Sequence, residues 1–438
     1  MDSETKEIWK LAWPVILTTG ASMGLGVVDM IMVGHLGSTA IASLSVSVTW
    51  LYAVGVFCRH LSGGVEPLVS QASGENREEV RARLFQHLLC ILCIVLFPQM
   101  LLYSIAEQGM LFFDQDPKIA KLAGGYCSII ALTVPAELVF FYCMRFFQAM
   151  EHVKGATVAV LLANVLNVIA NYICIFVLDK GVLGSAMATC VASYGMCFIL
   201  VFIQRKEIAR YLSIRYPFQW SLVKDIWELG WPTGLQISLE VWGFVLSVLF
   251  AGWLGVQNQA AHAIVLNFSG LCFMIPLGLS VAAATRVGKL IGEGKDWRKA
   301  IWHLGAIMLL VQILIAATIS FGAPWIVQAY TSDVALWEIV IPLFYICAIF
   351  QVFDGTQAVG LGILRGMGDV KIPLIFHLVA YWIIGIPLAL WLAFRADWGV
   401  TGLWSGLATA LAIIAFLCVL RIRYWMKKGV QSIYAFEK

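Results

Sequence analysis

The sequence predicts an all-α polytopic membrane protein, with twelve transmembrane helices in two six-helix lobes. Three observations carry this expectation. Of the 438 residues, 61% are hydrophobic and only 13% charged, with a mean hydropathy of +0.86, whereas a soluble globule carries about 25% charge. Apolar runs of about 20 residues, the length that crosses a bilayer, recur from end to end. Residues 8–77 and 226–295 also read as copies of each other at a constant offset. Ile8-Trp9 and Trp13-Pro14 return as Ile226-Trp227 and Trp231-Pro232. Gly34-His35-Leu36-Gly37 returns as Gly252-Trp253-Leu254-Gly255, and Gly74-Glu75-Asn76-Arg77 as Gly292-Glu293-Gly294-Lys295. A duplicated apolar chain is a usual construction for a two-lobed transporter, with the path between the lobes.

In chain order, helices 1 and 2 are expected over 8–34 and 40–73, parted by the Gly34–Gly37 turn. Helix 3 (84–107) follows the charged stretch Arg77–Arg83, and helix 4 (120–148) ends before Glu151-His152. Helices 5 (155–178) and 6 (182–204) flank Asp179-Lys180-Gly181. Helices 7 (226–252) and 8 (258–291) repeat the first pair. Helices 9 (300–320), 10 (336–363), 11 (372–394) and 12 (400–424) complete the second set. The later parts match too: Met150–Lys154 against Met367–Lys371, and Gly181–Gly184 against Gly399–Gly402. The longest polar connection divides the chain into an N-terminal lobe (1–205), a linker (206–225) and a C-terminal lobe (226–438). Six helices is an even number, so both lobes enter the membrane in the same direction, and a two-fold axis along the membrane normal is expected.

Loop charge sets the orientation. Twenty-four of the 29 lysines and arginines, Lys438 included, fall on one side of this scheme. Only Lys118, Lys121, Lys180 and Arg395 fall on the other. This predicts a multi-pass protein of the plasma (inner) membrane with both termini in the cytoplasm. Met1–Glu7 is short and mixed in charge, and the first apolar run is a full span, so no signal peptide is read. The net charge of +3 argues against nucleic acid as a partner. Cys90 and Cys93 form a C-x-x-C without a second pair or a histidine cluster, which favours packing over a metal or redox role. No H-E-x-x-H, nucleophile elbow or metal-ligand cluster is present, and the seven histidines are scattered, so an enzyme is not expected.

The informative residues are the acids inside apolar helices. A carboxylate in the bilayer interior costs about 3 kcal/mol on insertion scales, and persists when it faces a cavity, pairs with a cation or takes up a proton. At about 1.5 Å per residue, Glu240 lies about 20 Å beyond Trp227 and Asp354 about 17 Å before Arg365, so both sit near the midplane. Burial there disfavours the charged form, which suits a carrier of protons or cations. Asp29 lies about 30 Å beyond Trp9. Under the repeat it aligns with Ser247, while Glu240 aligns with Ser22. Each pair is seven residues apart, two helical turns, so the two lobes place their acids on one equivalent face. Asn167 and Asn171, one turn apart on helix 5, are placed to hydrogen-bond Asp29; the other reading is helix–helix adhesion. Asn164 is off that face. Glu137 is the repeat counterpart of Asp354, and Glu66 precedes Pro67 on helix 2. Arg59 is at about the depth of Asp29, which predicts a pairing of the two in one state; the competing reading is an arginine snorkelling to the outer interface.

Several of these residues carry a family resemblance. Trp13-Pro14, Val28-Asp29-Met30-Ile31-Met32-Val33-Gly34, Gln71 and Gly74 resemble the MATE (multidrug and toxic compound extrusion) transporters. In the second half the resemblance continues through Glu240, Gln259-Ala260-Ala261-His262, Asn267-Phe268, Arg286-Val287-Gly288, Asp354, Gln357, Gly362 and Leu364-Arg365-Gly366. Acids on helices 1, 7 and 10 together are similar to the NorM branch. The resemblance implies an antiporter that expels small amphipathic or cationic organic compounds by alternating access, as a monomer and without a cofactor, coupled to H+ or Na+. It implies a first-lobe substrate and proton site at Asp29, helped by Asn167 and Asn171, to which the charges read from the chain itself add Arg59, Glu137 and Glu66 as candidate polar positions. It places a second-lobe site for a proton or a sodium ion at Glu240 and Asp354. Three positions depart from the pattern. Phe350 stands where bacterial relatives often have tyrosine, which removes an oxygen and gives protons more weight. Glu66 resembles the eukaryotic branch. Arg59 stands where relatives mostly have an apolar residue, and is the one feature that leans toward the alternative, a lipid-linked oligosaccharide flippase of the same superfamily.

Overall fold

The computed structural model describes residues 3–434, so Lys438 and the positive charge counted there lie outside the described residues. Among the described residues the chain is helical, without a strand. The first span is α1 (Ser3–Gly34). The second is α2 (Ser38–His60), a 3-10 turn over Leu61–Gly64 and α3 (Val65–Gly74). The third is α4 (Glu78–Ser104), followed by the short α5 (Ala106–Phe112). The fourth comprises α6 (Pro117–Ala131) and α7 (Val134–Ala149). The fifth is α8 (Lys154–Asn171), running into a π-helical turn over Tyr172–Val177. α9 (Gly181–Ile203) is the sixth, and α10 (Arg205–Ser213) lies in the linker. The second half holds α11 (Trp220–Trp253), α12 (Val256–Gly292), α13 (Arg298–Tyr330) and α14 (Val334–Gly366). Its fifth span is α15 (Lys371–His377), a π-helical turn over Leu378–Gly385 and α16 (Ile386–Phe394), and α17 (Gly399–Lys428) is its sixth. Eleven of these spans are long and apolar enough to cross a membrane, or twelve when α6 and α7 count as one. The protein is a multi-pass membrane protein.

Two helices expected to be continuous are broken. α6 and α7 meet at a 55° bend. Pro135 in the first turn of α7 has no N–H to continue the ladder, and Thr133 Oγ1 donates back to Ile130 O at 2.7 Å, capping α6. In the second span, Ser62-Gly63-Gly64 tightens into a 3-10 turn. A Cβ on Gly64 would lie 2.4 Å from both Gly230 N and Ile226 O, so only glycine lets the first third of α11 approach this closely.

The duplication is visible in the backbone. Left-handed residues recur at the repeat spacing: Gly37 with Gly255, Asn76 with Gly294, Glu151 with Gly368, Asp179 with Asp397, and Gly181 with Gly399. Gly37 and Gly255, at φ of 101° and 103°, each precede the second helix of their half, a conformation open to glycine at little cost.

The chain forms two compact units. One is Leu17–Gly234; the other joins residues up to Ile16 with those from Leu235 onward. The boundaries thus fall inside α1 and α11, while the sequence division follows the linker at 206–225. Within the second unit, Arg286 grips Glu4 through two hydrogen bonds of 2.7 and 2.8 Å. Within the first, Gln219 N donates to His87 Nε2 at 2.9 Å and fixes the linker.

Candidate functional site

Each unit holds its own buried acidic cluster. In the first, Asp29 is 6% exposed and sits on α1. Its Oδ1 accepts from Asn167 Nδ2 at 3.1 Å and from Asn171 Nδ2 at 2.6 Å. Its Oδ2 accepts from Thr189 Oγ1 at 2.9 Å. The one-turn spacing of the two asparagines presents both amides to one carboxylate oxygen, and α9 supplies Thr189 because Gly184 lets it close on the fifth span. A Cβ at Gly184 would lie 2.6 Å from Cys174 O. Tyr126 of α6 lies beside Thr189 and Ser185. Three neutral donors on two oxygens suit a carboxylate, which can only accept when ionised. No lysine or arginine touches Asp29 among the described residues, and Oδ1 of both asparagines is buried without a hydrogen-bond partner. Asn164 instead donates to Ala21 O and Val160 O, as its spacing off the Asp29 face requires.

Arg59 does not pair with Asp29 in this structure. Its Nη1 lies 3.1 Å from Glu137 Oε1, and its guanidinium covers the Tyr52 ring at 5.1 Å. The reason is the bend in the fourth span, which begins α7 at Val134, directly before Pro135, and carries Glu137 across to the end of α2. Gly55 makes the room, since a Cβ there would meet Tyr103 Oη at 2.0 Å and Arg59 Nη2 at 3.2 Å. Glu66, just past the 3-10 turn, is bound by Arg145 Nη1 at 2.7 Å. Glu66 and Glu137 are therefore each neutralised by an arginine. Asp29 is not.

In the second unit, Glu240 of α11 and Asp354 of α14 share one amide. Gln357 Nε2 donates to Glu240 Oε1 at 2.9 Å and to Asp354 Oδ1 at 3.2 Å. On its other side Glu240 Oε2 faces His377 Nε2 at 3.6 Å. Tyr381, on the π-helical turn, stacks on His377 with ring centroids 6.0 Å apart. The wider turn starts directly after His377, as the one in the fifth span starts directly after Asn171. Such insertions are frequent at functional sites. Phe350 packs on Trp404 at 5.2 Å and Phe244 at 6.1 Å, so the position one turn before Asp354 belongs to an aromatic core. No lysine or arginine contacts Glu240 or Asp354 among the described residues. Oε1 of Gln357, Nε2 of His377 and Oη of Tyr381 are buried without a hydrogen-bond partner.

The repeat counterparts of the acids are bonded within the protein. Ser22 donates to Thr18 O at 2.8 Å. Ser247 donates to Phe244 O and lies 3.2 Å from His262 Nε2, while His262 Nδ1 accepts from Trp404 Nε1 at 3.1 Å. That fixes a neutral ring with its hydrogen on Nε2.

The structure thus gathers Asp29, Asn167 and Asn171 in one cluster and Glu240 and Asp354 in another, and sets Arg59, Glu137 and Glu66 apart in two ion pairs. Sequence reasoning missed His377, Tyr381, Thr189 and Tyr126. His377 was one of seven scattered histidines, 137 residues from Glu240, and only its place inside an apolar run marked it.

The MatE family model matches the chain twice, over residues 14–173 and 232–391, and the two ranges are offset by 218 residues at both ends (14 to 232, 173 to 391). The chain is 30% identical over 432 residues to "Probable multidrug resistance protein NorM" of Acinetobacter baylyi, covering 96% of each. It is 30% identical over 452 residues to "Multidrug and toxin extrusion protein 1" of Xenopus tropicalis, covering 98% of this chain and 76% of that one. In fold it matches the crystal structure of the eukaryotic MATE transporter AtDTX14 at a TM-score of 0.87, over 97% of each chain and 24% identity. Two full matches to one model, together with relatives that align along almost the entire length, show that the chain belongs to the MatE family, whose members are transporters and not enzymes.

Proposed function

We propose that this transporter exports small amphipathic or cationic organic compounds in exchange for an ion, by alternating access. The observation that carries the reading is the contrast among the buried acids. Glu66 and Glu137 have an arginine each, whereas among the described residues Asp29, Glu240 and Asp354 have only neutral donors or a histidine. Buried charge without a compensating partner is costly, and carboxylates kept in that state are available to an incoming cation. Cargo and coupling ion then compete for the same groups, which links the two fluxes. The names of the relatives from A. baylyi and X. tropicalis support drugs and toxins as cargo. Arg59 lends no weight to a cationic cavity for a lipid-linked oligosaccharide, since Glu137 neutralises it.

In the same proposal the basic connections face the cytoplasm, the protein sits in the plasma (inner) membrane, and it works as a monomer. The test is dye efflux in everted vesicles under imposed pH or sodium gradients, with Asp29→Asn, Glu240→Gln and Asp354→Asn beside wild type. Gradient-driven efflux is expected to be lost in all three. Wild-type rates in Glu240→Gln and Asp354→Asn together would end the coupling assignment.

A further inference from the structure

We infer that His377 is the partner with which Glu240 holds one proton, and that this pair makes the second unit select a proton over a sodium ion. The inference rests on the exporter reading and names its coupling ion. It starts from the ring tautomer. His377 Nδ1 lies 3.0 Å from Pro373 O, which can only accept, so Nδ1 carries a hydrogen. In the neutral ring Nε2 is then a bare lone pair. It is aimed at Glu240 Oε2, 3.6 Å away, and His377 is fully buried. Two lone pairs that face each other at this distance repel. One proton between them removes the conflict, either as an imidazolium beside a carboxylate or as a carboxylic acid donating to Nε2.

The groups around the ring are consistent with that reading. From α11 comes Glu240; from α14 comes Asp354, tied to Glu240 through Gln357; from the ring's own span comes Tyr381. A hard cation such as sodium takes oxygen ligands. Here the atom that faces both carboxylates is the Gln357 amide nitrogen, which presents hydrogens, and the atom across from Oε2 is a ring nitrogen. The Phe350 ring is committed to Trp404 and Phe244 and offers no oxygen. As bonded, with amide hydrogens and a ring nitrogen turned toward the carboxylates, the arrangement favours a proton over a sodium ion. A proton entering the pair binds Nε2 or Oε2 and leaves from the same atoms, so the exchange balances without any other reactant.

The test uses the full-length protein labelled with 15N-histidine in lipid nanodiscs, with the His377 signal assigned by its loss in His377→Gln. A protonated Nε2, or one shifted by a short hydrogen bond, is expected in wild type. In Glu240→Gln the signal is expected to become that of a lone-pair nitrogen at the same pH. An Nε2 signal and pH response identical in wild type and Glu240→Gln overturns the shared proton. The second arm reconstitutes each protein in liposomes and follows ethidium under a pH gradient or a sodium gradient. The pH gradient is expected to drive wild type, and His377→Gln to lose that drive. Wild-type ethidium movement driven by sodium alone overturns the ion assignment and leaves the exporter reading standing. No ethidium movement under either gradient, with the shared proton present in the spectrum, sinks the exporter reading and leaves the pair.

Discussion

Replacing Glu137 by leucine strands Arg59 in a buried site, and the structure lets the cost be worked out. Both side chains are about one-seventh exposed, at 15% and 14%, so solvent screens them little. At an effective dielectric of about 20, unit charges about 4 Å apart attract by about 4 kcal/mol. Removing one member of such a pair typically costs about 3–5 kcal/mol, because the other charge stays behind. Arg59→Met should cost less than Glu137→Leu. It also gives up the weak hydrogen bond from Nη2 to Leu51 O at 3.4 Å, but Tyr103 Oη still donates to that carbonyl at 3.2 Å. The double variant removes both charges, and its stability should return to within about 1 kcal/mol of wild type. The measurement is unfolding of the purified protein in detergent micelles for wild type, both single variants and the double variant. A coupling of at least about 3 kcal/mol, close to the sum of the two single losses, is expected. Simple addition of the two single losses would refute the claim that these residues neutralise each other. In the same series, the pH dependence of efflux should be unchanged in the double variant. A displaced pH profile would return Arg59 to the chemistry of Asp29.

Three other outcomes follow from the geometry. Asp29→Asn keeps the shape of the site and removes its charge, so efflux should vanish while stability changes by no more than about 1.5 kcal/mol; retained drug-dependent efflux in vesicles would remove Asp29 from the mechanism. Gly184→Ala drives a Cβ to 2.6 Å from Cys174 O, and should cost about 1–3 kcal/mol in thermal unfolding together with reduced efflux, since Thr189 moves away from Asp29. Gly355→Ala places a Cβ on the fully buried amide of Gln312; a lowered melting temperature of similar size is expected, and an unchanged one would show that Gln312 can swing aside.

The spans were legible because hydrophobic length is a property of the chain itself. So was the duplication, since Trp13-Pro14 and Trp231-Pro232 need no fold to be matched. The acids stood out because charge inside an apolar run is costly wherever the run lies. The asparagines were readable as Asp29 ligands because one helical turn fixes their common face, and they bond it at 3.1 and 2.6 Å. The breaks at 61–64 and 132–133 were not readable. Pro135 signalled the second, but proline also sits in continuous helices such as α1 and α13, so the residue alone does not decide the angle.

The chain by itself determined which segments cross the membrane, which residues are charged within them, and on what face of its own helix each one lies. Those follow from composition and from the 3.6-residue period. Only the tertiary structure decided the partners. Depth along a helix set Arg59 level with Asp29, whereas the bend between α6 and α7 gave it to Glu137. Depth likewise paired Glu240 with Asp354, yet the closest ring nitrogen comes from His377, brought there by the packing of a later span. Helical periodicity is local, whereas the choice among groups of equal depth depends on which faces meet.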